Sequence, residues 1–332
     1  MAKSISKLGI GPMSEEVIEA VFRCSEEQKE PLMLIASKNQ IDWDKGYVNQ
    51  WTTKEYANYV QRMKNKYSGA KVYLCRDHCG PGFKNSDLKD AYKTIDTDIE
   101  NGFDLIHIDF CYYKGSKKEI LKESQKAIEY IHKKNPDILI EIGTDENKGD
   151  FLDNLSAVED EMKFFNNIAP ICFFVVQTGS LIKEFNQVGS FNENFIKKVH
   201  IIADKYDLKL KEHNADYLNE KKINKRKRLI DALNVAPQYG VIQTSLTIQK
   251  CLQYGINFDD FLEDSYKSRK WEKWLYTNTA DNKFLCAVVA GHYVFSNYAY
   301  KSLYDKISKY ENFRETIIQG IMKNFKIYLD NL

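Results

Sequence analysis

The sequence predicts an α/β protein, a (β/α)8 TIM barrel with a helical extension at its C-terminal end. Three observations carry that prediction. Short apolar runs alternate with longer amphipathic stretches, the pattern of strands each followed by a helix that covers a parallel sheet. Seven such runs begin about 24–40 residues apart, where one βα unit needs roughly 30 residues. Each run ends in polar or glycine-containing sequence, and in a barrel those strand ends form the rim that carries chemistry.

Taken in order, the first strand is expected at residues 31–36, ending in Ser37-Lys38-Asn39-Gln40. The next spans 71–75 and leads into Arg76-Asp77-His78, and a third spans 104–109, before Phe110-Cys111-Tyr112. Strands at 138–142 and 171–176 end in Gly143-Thr144-Asp145 and Gln177-Thr178-Gly179-Ser180. The last two, 208–212 and 232–235, run into His213-Asn214-Ala215-Asp216 and Ala236-Pro237. Helical periodicity fills intervening stretches at 15–24, 53–65, 118–134 and 192–206. The eighth strand is expected at 291–296, with a buried helix over 285–300 as the alternative. Residues 310–332 read as an amphipathic helix, part of a helical segment from about 300 to 332. No linker, repeat or low-complexity tract interrupts the chain, so one domain over 1–332 is expected. A doubly wound open sheet competes, but no glycine-rich dinucleotide fingerprint supports it.

Bulk properties exclude several classes. Hydrophobic residues make up 43% and charged residues 29% of 332, a globular balance with no sign of disorder. A formal charge of +1 provides no global field for nucleic acid or an anionic membrane. Basic runs such as Lys225-Arg226-Lys227-Arg228 are short and read as solvated helix faces. Met1-Ala2-Lys3-Ser4 leads into no apolar signal region, and no stretch reaches the ~18 apolar residues of a membrane span. Seven scattered cysteines point to reduced thiols and a cytoplasmic location. Only Cys75 and Cys79 lie close together, and no second pair completes a structural zinc knuckle.

The rim clusters hold the residue types that suit a divalent metal: imidazoles, carboxylates and an amide oxygen. In order they offer Asn39 and Gln40, Asp77 and His78, His107 and Asp109, Glu141 and Asp145, Gln177, then Glu212, His213 and Asp216. His107 and Asp109 share one strand face, opposite Ile106 and Ile108. Ionisable groups on such a face are costly unless paired, so a ligand or charge partner is expected there. His213 is out of phase with Leu208, Leu210 and Glu212, and a local bend is expected to bring it to the rim. Gly179-Ser180 and Gly189-Ser190 offer backbone N–H groups to a phosphate, although such pairs also occur in ordinary turns. His132 and His200 read as helix residues, and Trp271, Trp274 and Tyr276 as core packing or an assembly surface.

At these clusters the sequence resembles the class II D-tagatose-1,6-bisphosphate aldolase "non-catalytic subunit" family, which includes ketose-6-phosphate 4-epimerase-like members. The matching segments are Leu34-Ile35-Ala36-Ser37-Lys38-Asn39-Gln40, Asp77-His78-Cys79-Gly80-Pro81 and Gly102-Phe103-Asp104-Leu105-Ile106-His107-Ile108-Asp109. They continue with Ile142-Gly143-Thr144-Asp145, Val175-Val176-Gln177-Thr178-Gly179, Glu212-His213-Asn214-Ala215-Asp216-Tyr217 and Val235-Ala236-Pro237. The likeness runs from about residue 15 to about 245. It implies a metal-dependent barrel acting on a phosphorylated ketose, in which the C3–C4 bond breaks to an enediolate that the metal stabilises. Release of the aldehyde makes an aldolase; its rotation and recombination make a C4 epimerase. Carried over, His78 and His213 resemble metal ligands, with Glu141 or Gln177 completing the set. Asp77 becomes the base, with Glu141 a second catalytic candidate, and Asn39, Gln40, Asp109, Asp145, Gly179 and Ser180 line the substrate. Zn²⁺ is the expected metal, with Mn²⁺ or Co²⁺ compatible with mixed oxygen ligands. Two departures stand out: Ile35 replaces an acidic residue, and the loop at Val188-Gly189 lacks a histidine that members often carry. The rival implication is a non-catalytic partner of a separate aldolase subunit; a homo-oligomer is also compatible with the sequence.

Overall fold

The computed structural model describes residues 5–143 and 154–332. Eight parallel strands close into a barrel: β1 (Leu8–Ile10), β2 (Leu32–Ser37), β3 (Val72–Cys79), β4 (Leu105–Asp109), β5 (Leu139–Gly143), β6 (Ile171–Val175), then β9 (Leu210–Glu212) and β10 (Ala232–Val235). A short antiparallel hairpin, β7 (Ile182–Lys183) and β8 (Asn186–Gln187), lies between β6 and β9 in sequence, outside the barrel sheet. Helices α1 (Glu15–Gln28), α2 (Thr53–Lys66), α3 (Leu88–Glu100), α4 (Lys117–Lys134), α5 (Leu155–Asn166), α6 (Glu193–Lys205), α7 (Glu220–Asn224) and α8 (Pro237–Tyr254) follow strands in turn. Four more, α9 (Asp259–Lys267), α10 (Lys283–Ala290), α11 (Tyr298–Ile307) and α12 (Phe313–Asn331), continue beyond the barrel.

Strand alternation sorts side chains into two cores. Ile106, Ile108, Ile140 and Ile142 point outward and pack beneath the helices, joined by Leu34 and Ala36. Met33, Ile35, Cys75, Leu105, Phe173 and Ala232 fill the barrel interior. Burying each large aliphatic side chain stabilises by about 1.5–3 kcal/mol, so a strand buried on both faces needs no polar side until it reaches the rim. Local signals define the helix starts: Thr52 and Ser116 each form a reciprocal capping box with the glutamate three residues on.

The eighth strand is not at residues 291–296. Barrel closure comes from β1, which pairs with β2 on one side and β10 on the other. Its three residues are too few for a period-2 pattern to stand out. Residues Gly291–Val294 form a 3-10 turn. Their apolarity comes from burial beside α8, α9 and α10. The expected terminal helix forms as α12, docked on α1 and α8.

Candidate active site

Adjacent strand residues normally point to opposite faces, so Asp77 and His78 cannot both face the barrel mouth on a regular strand. Pairing between β3 and β4 shifts register between Arg76 and Cys79, a bulge that re-aims one side chain. His78 sits at the irregularity with φ +48°, a left-handed conformation that costs a non-glycine residue about 1 kcal/mol or more. Arg76 takes the outward direction. It is fully buried, paired with Asp98 of α3 at 2.6 Å, and donates to the carbonyls of Ala36 and Ile41.

His213 reaches the rim by ordinary alternation, and the expected bend is unnecessary. Lys211 and His213 face the interior, while Leu210 and Glu212 face the helices. Glu212 is buried there against Arg226 at 2.7 Å and against the Ser180 hydroxyl.

Asp77, His78, His107 and His213 bring one donor atom each to within 4.8 Å of one another. His78 Nδ1 is held by Asp109 Oδ2 at 2.7 Å, and His213 Nε2 by Glu141 Oε1 at 2.7 Å. The remaining nitrogens, His78 Nε2 and His213 Nδ1, face each other across 3.4 Å. Asp77 oxygens lie 3.7 Å from each. With both outer nitrogens held by carboxylates, the two inner nitrogens and a carboxylate converge on one point, an arrangement that a cation stabilises. His107 adds a third imidazole, its Nδ1 accepting the His78 N–H at 3.2 Å beside Asp77 at 3.3 Å and its buried Nε2 without a hydrogen-bond partner. The residues therefore fit a divalent metal. Gly143 keeps the place clear, since a Cβ there would lie 3.0 Å from His107 Nε2.

Charge beneath the cluster is balanced by one lysine. Lys211, fully buried, reaches Glu141 Oε2 at 2.6 Å. Burial works against ionised Glu141, but Lys211 and the nearby imidazoles outweigh it and hold the carboxyl at about 2. Asp77 is likewise opposed by burial and pulled well below the usual carboxylate range by His78 and His213. It is ionised at neutral pH, as a base must be.

Two cavities open on the cluster, of about 130 Å³ and 340 Å³, sharing Ser37, Asn39, His78, His213, Asn214, Lys273 and Trp274. Gln40 lines the smaller, its Oε1 accepting the Ser37 N–H at 2.8 Å. Asp109 and Gln177 line the larger. Gly179 and Ser180 line neither, among the described residues, and Asp145 lies outside the described residues. At the departures named above, Ile35 is buried in the floor of the smaller cavity, and no side chain fits at Gly189, where a Cβ would lie 1.8 Å from the Gly179 carbonyl.

Sequence reasoning passed over Lys273 and Trp274 as mouth residues and left His292 unplaced. His292 is buried in the wall of the smaller cavity with neither ring nitrogen bonded, and burial pushes its pKa down to about 3. A histidine inside the apolar run at 284–295 was the only signal. Lys273 gave none.

A family model described as D-tagatose-1,6-bisphosphate aldolase subunit GatZ/KbaZ-like matches residues 3–129. No curated protein matches the chain in sequence. Among solved structures, a probable tagatose 6 phosphate kinase from Sinorhizobium meliloti 1021 superposes with a TM-score of 0.81 at 14% identity, over 98% of this chain and 100% of that one. Fructose-bisphosphate aldolase from Campylobacter jejuni gives 0.63 at 13% identity, over 99% and 90%. The YdjI aldolase from Escherichia coli K12 gives 0.55 at 13%, over 92% and 91%. At such identities the likeness is one of fold: the chain has the barrel architecture of these proteins.

Proposed function

We propose that the protein is a metal-dependent enzyme of the class II aldolase type that acts on a phosphorylated ketose by retro-aldol and aldol chemistry. The favoured outcome is C4 epimerisation of the fructose 6-phosphate/tagatose 6-phosphate kind, with cleavage of a tagatose-bisphosphate-like substrate next. The observation that carries this reading is the convergence of His78 Nε2 and His213 Nδ1 beside ionised Asp77 at the barrel rim. The likeness to aldolase barrels and the family match over residues 3–129 support it.

His78, His213 and His107 would hold the metal, for which Zn²⁺ suits three imidazoles best. Bound there, a divalent cation supplies Lewis-acid polarisation of a ketose carbonyl. Asp77 takes the C4 hydroxyl proton as the C3–C4 bond breaks, and returns it when the bond re-forms on the other face. Glu141 and Asp109 act through the histidines they hold. Asn39, shared by both cavities, would bind a sugar hydroxyl, and Gln40 would line the substrate beside it.

Incubation with fructose 6-phosphate, followed by ¹³C NMR, tests the reaction. Tagatose 6-phosphate is expected, with conversion lost in chelator and in Asp77→Asn. Dihydroxyacetone and glyceraldehyde 3-phosphate would mark an aldolase, and a metal-loaded chain that changes neither sugar contradicts the reading. The second reading is a stabilising partner of a separate aldolase subunit, favoured by Ile35 at an expected acidic position and by the closed loop at Gly189. Co-purification with a second barrel chain, alongside inertness alone, would select it.

A further inference from the structure

A sugar phosphate needs an anion site, and the usual places in this barrel are already used. Phosphates in such barrels commonly sit on backbone N–H groups after the last strands, at a helix N-terminus. Here Asp216 Oδ1 accepts the N–H groups of Ala236 and Gln238 at the start of α8, at 3.1 and 2.8 Å. In the loop after β6, two N–H groups and the Ser180 hydroxyl are also taken. Leu181 N–H donates to Gln187 Oε1 at 2.6 Å, Ser180 N–H faces Thr178 Oγ1, and the Ser180 hydroxyl is bound by Glu212 and Arg226.

Two lysines remain. Lys273, at the end of the 3-10 turn Lys270–Lys273, lines both cavities, and Lys183 on β7 lines the larger. Lys183 Nζ donates to the Lys273 carbonyl at 2.9 Å, and Glu184 N–H to the Trp274 carbonyl at 2.8 Å. Hairpin and turn thus form one strap beside the mouth that carries both ammonium groups. Elsewhere around the barrel, Lys38, Arg76, Lys211 and Arg226 are each committed to a buried carboxylate. Among the described residues no carboxylate pairs with Lys273, whose ammonium lies over the Trp274 ring at 4.6 Å. Asp216 attracts the Lys273 ammonium, and Lys183 repels it more weakly. An anion between the two lysines would relieve that repulsion.

We propose that Lys273, assisted by Lys183, anchors the phosphate of a phosphomonoester substrate, in place of a backbone nest or helix terminus. The proposal rests on the sugar-phosphate reading of the same mouth, so its test avoids both metal and turnover. Chelator-treated protein is titrated with inorganic phosphate and followed by ³¹P NMR. Saturable binding is expected, weakened about tenfold or more by Lys273→Met, weakened less by Lys183→Met and kept by Lys273→Arg. The Lys273 side chain is exposed, so circular dichroism of the methionine variant should match the parent. No saturable binding by the parent, or equal binding by Lys273→Met, overturns the proposal. Phosphate binding that depends on Lys273, in a chain that turns over no sugar, keeps the anchor and removes the proposed reaction.

Discussion

Two carboxylates determine which nitrogen each rim histidine offers. Asp109 fixes His78 and Glu141 fixes His213, and both hydrogen bonds are 2.7 Å long. Removing such an orienting partner weakens metal affinity by about 10–100-fold in comparable sites. Asp109→Ala is therefore expected to bind Zn²⁺ that much more weakly than the parent, read by competition with a chromophoric chelator. Equal affinity would mean that Asp109 does not orient His78. Lys211 acts one layer deeper. Lys211→Met leaves Glu141 buried with its cation gone, and should cost about 3–5 kcal/mol in denaturant unfolding. A loss below 1 kcal/mol would show that Glu141 finds another partner. Rim residues such as Asp77, His78 and His213 were legible in sequence because strand ends carry function. Asp109 was read as lining the substrate, and Glu141 as a ligand. Their hold on particular ring nitrogens depends on side-chain direction, which strand spacing alone does not give.

Among the elements, seven strands were readable from apolar runs of four to six residues between helical stretches. β1 was not, because Leu-Gly-Ile has no period, and the bulge in β3 has no signature beyond an adjacent Asp-His pair. The strap of β7, β8 and the Lys270–Lys273 turn was equally invisible, since its two halves lie far apart in sequence. The helix expected over 310–332 forms as α12, which buries Phe313, Ile317, Ile321 and Phe325, and Arg314 adds an ionic contact to α1. Glu19 of α1 receives Arg314 at 2.7 Å, Arg23 at 3.1 Å and Lys66 at 2.8 Å. Burial opposes its ionisation, and hydrogen bonds from Lys66, Tyr67 and Arg314 outweigh it, so its pKa falls well below 4.5. A depressed folded pKa gives stability that is present above the unfolded value and lost as pH falls toward the folded one. Glu19→Gln should therefore destabilise the protein by about 3 kcal/mol at pH 7. The gap between variant and parent should shrink as pH drops below 4.5, when denaturant midpoints are compared at several pH values. A gap that is constant with pH would place the effect in packing and not in charge.

At the scale of the whole molecule, the barrel gathers residues from β2, β3, β4, β5 and β9 onto one rim, so the site exists only when the barrel is closed. A ligand that binds this folded rim and not the unfolded chain raises stability by about 2.7 kcal/mol at 100 times its Kd. Saturating Zn²⁺ should accordingly raise the Tm of the parent, and leave that of a His78→Ala, His213→Ala double variant unmoved. No helix among the described residues is long and apolar enough to cross a membrane. The most direct test of the account is the metal content of the purified chain by elemental analysis, set beside that of His213→Ala. About one divalent metal per chain in the parent, falling to a small fraction in the variant, is the predicted result. A parent that takes up no metal even when supplied with Zn²⁺, or a variant that retains as much, would contradict it.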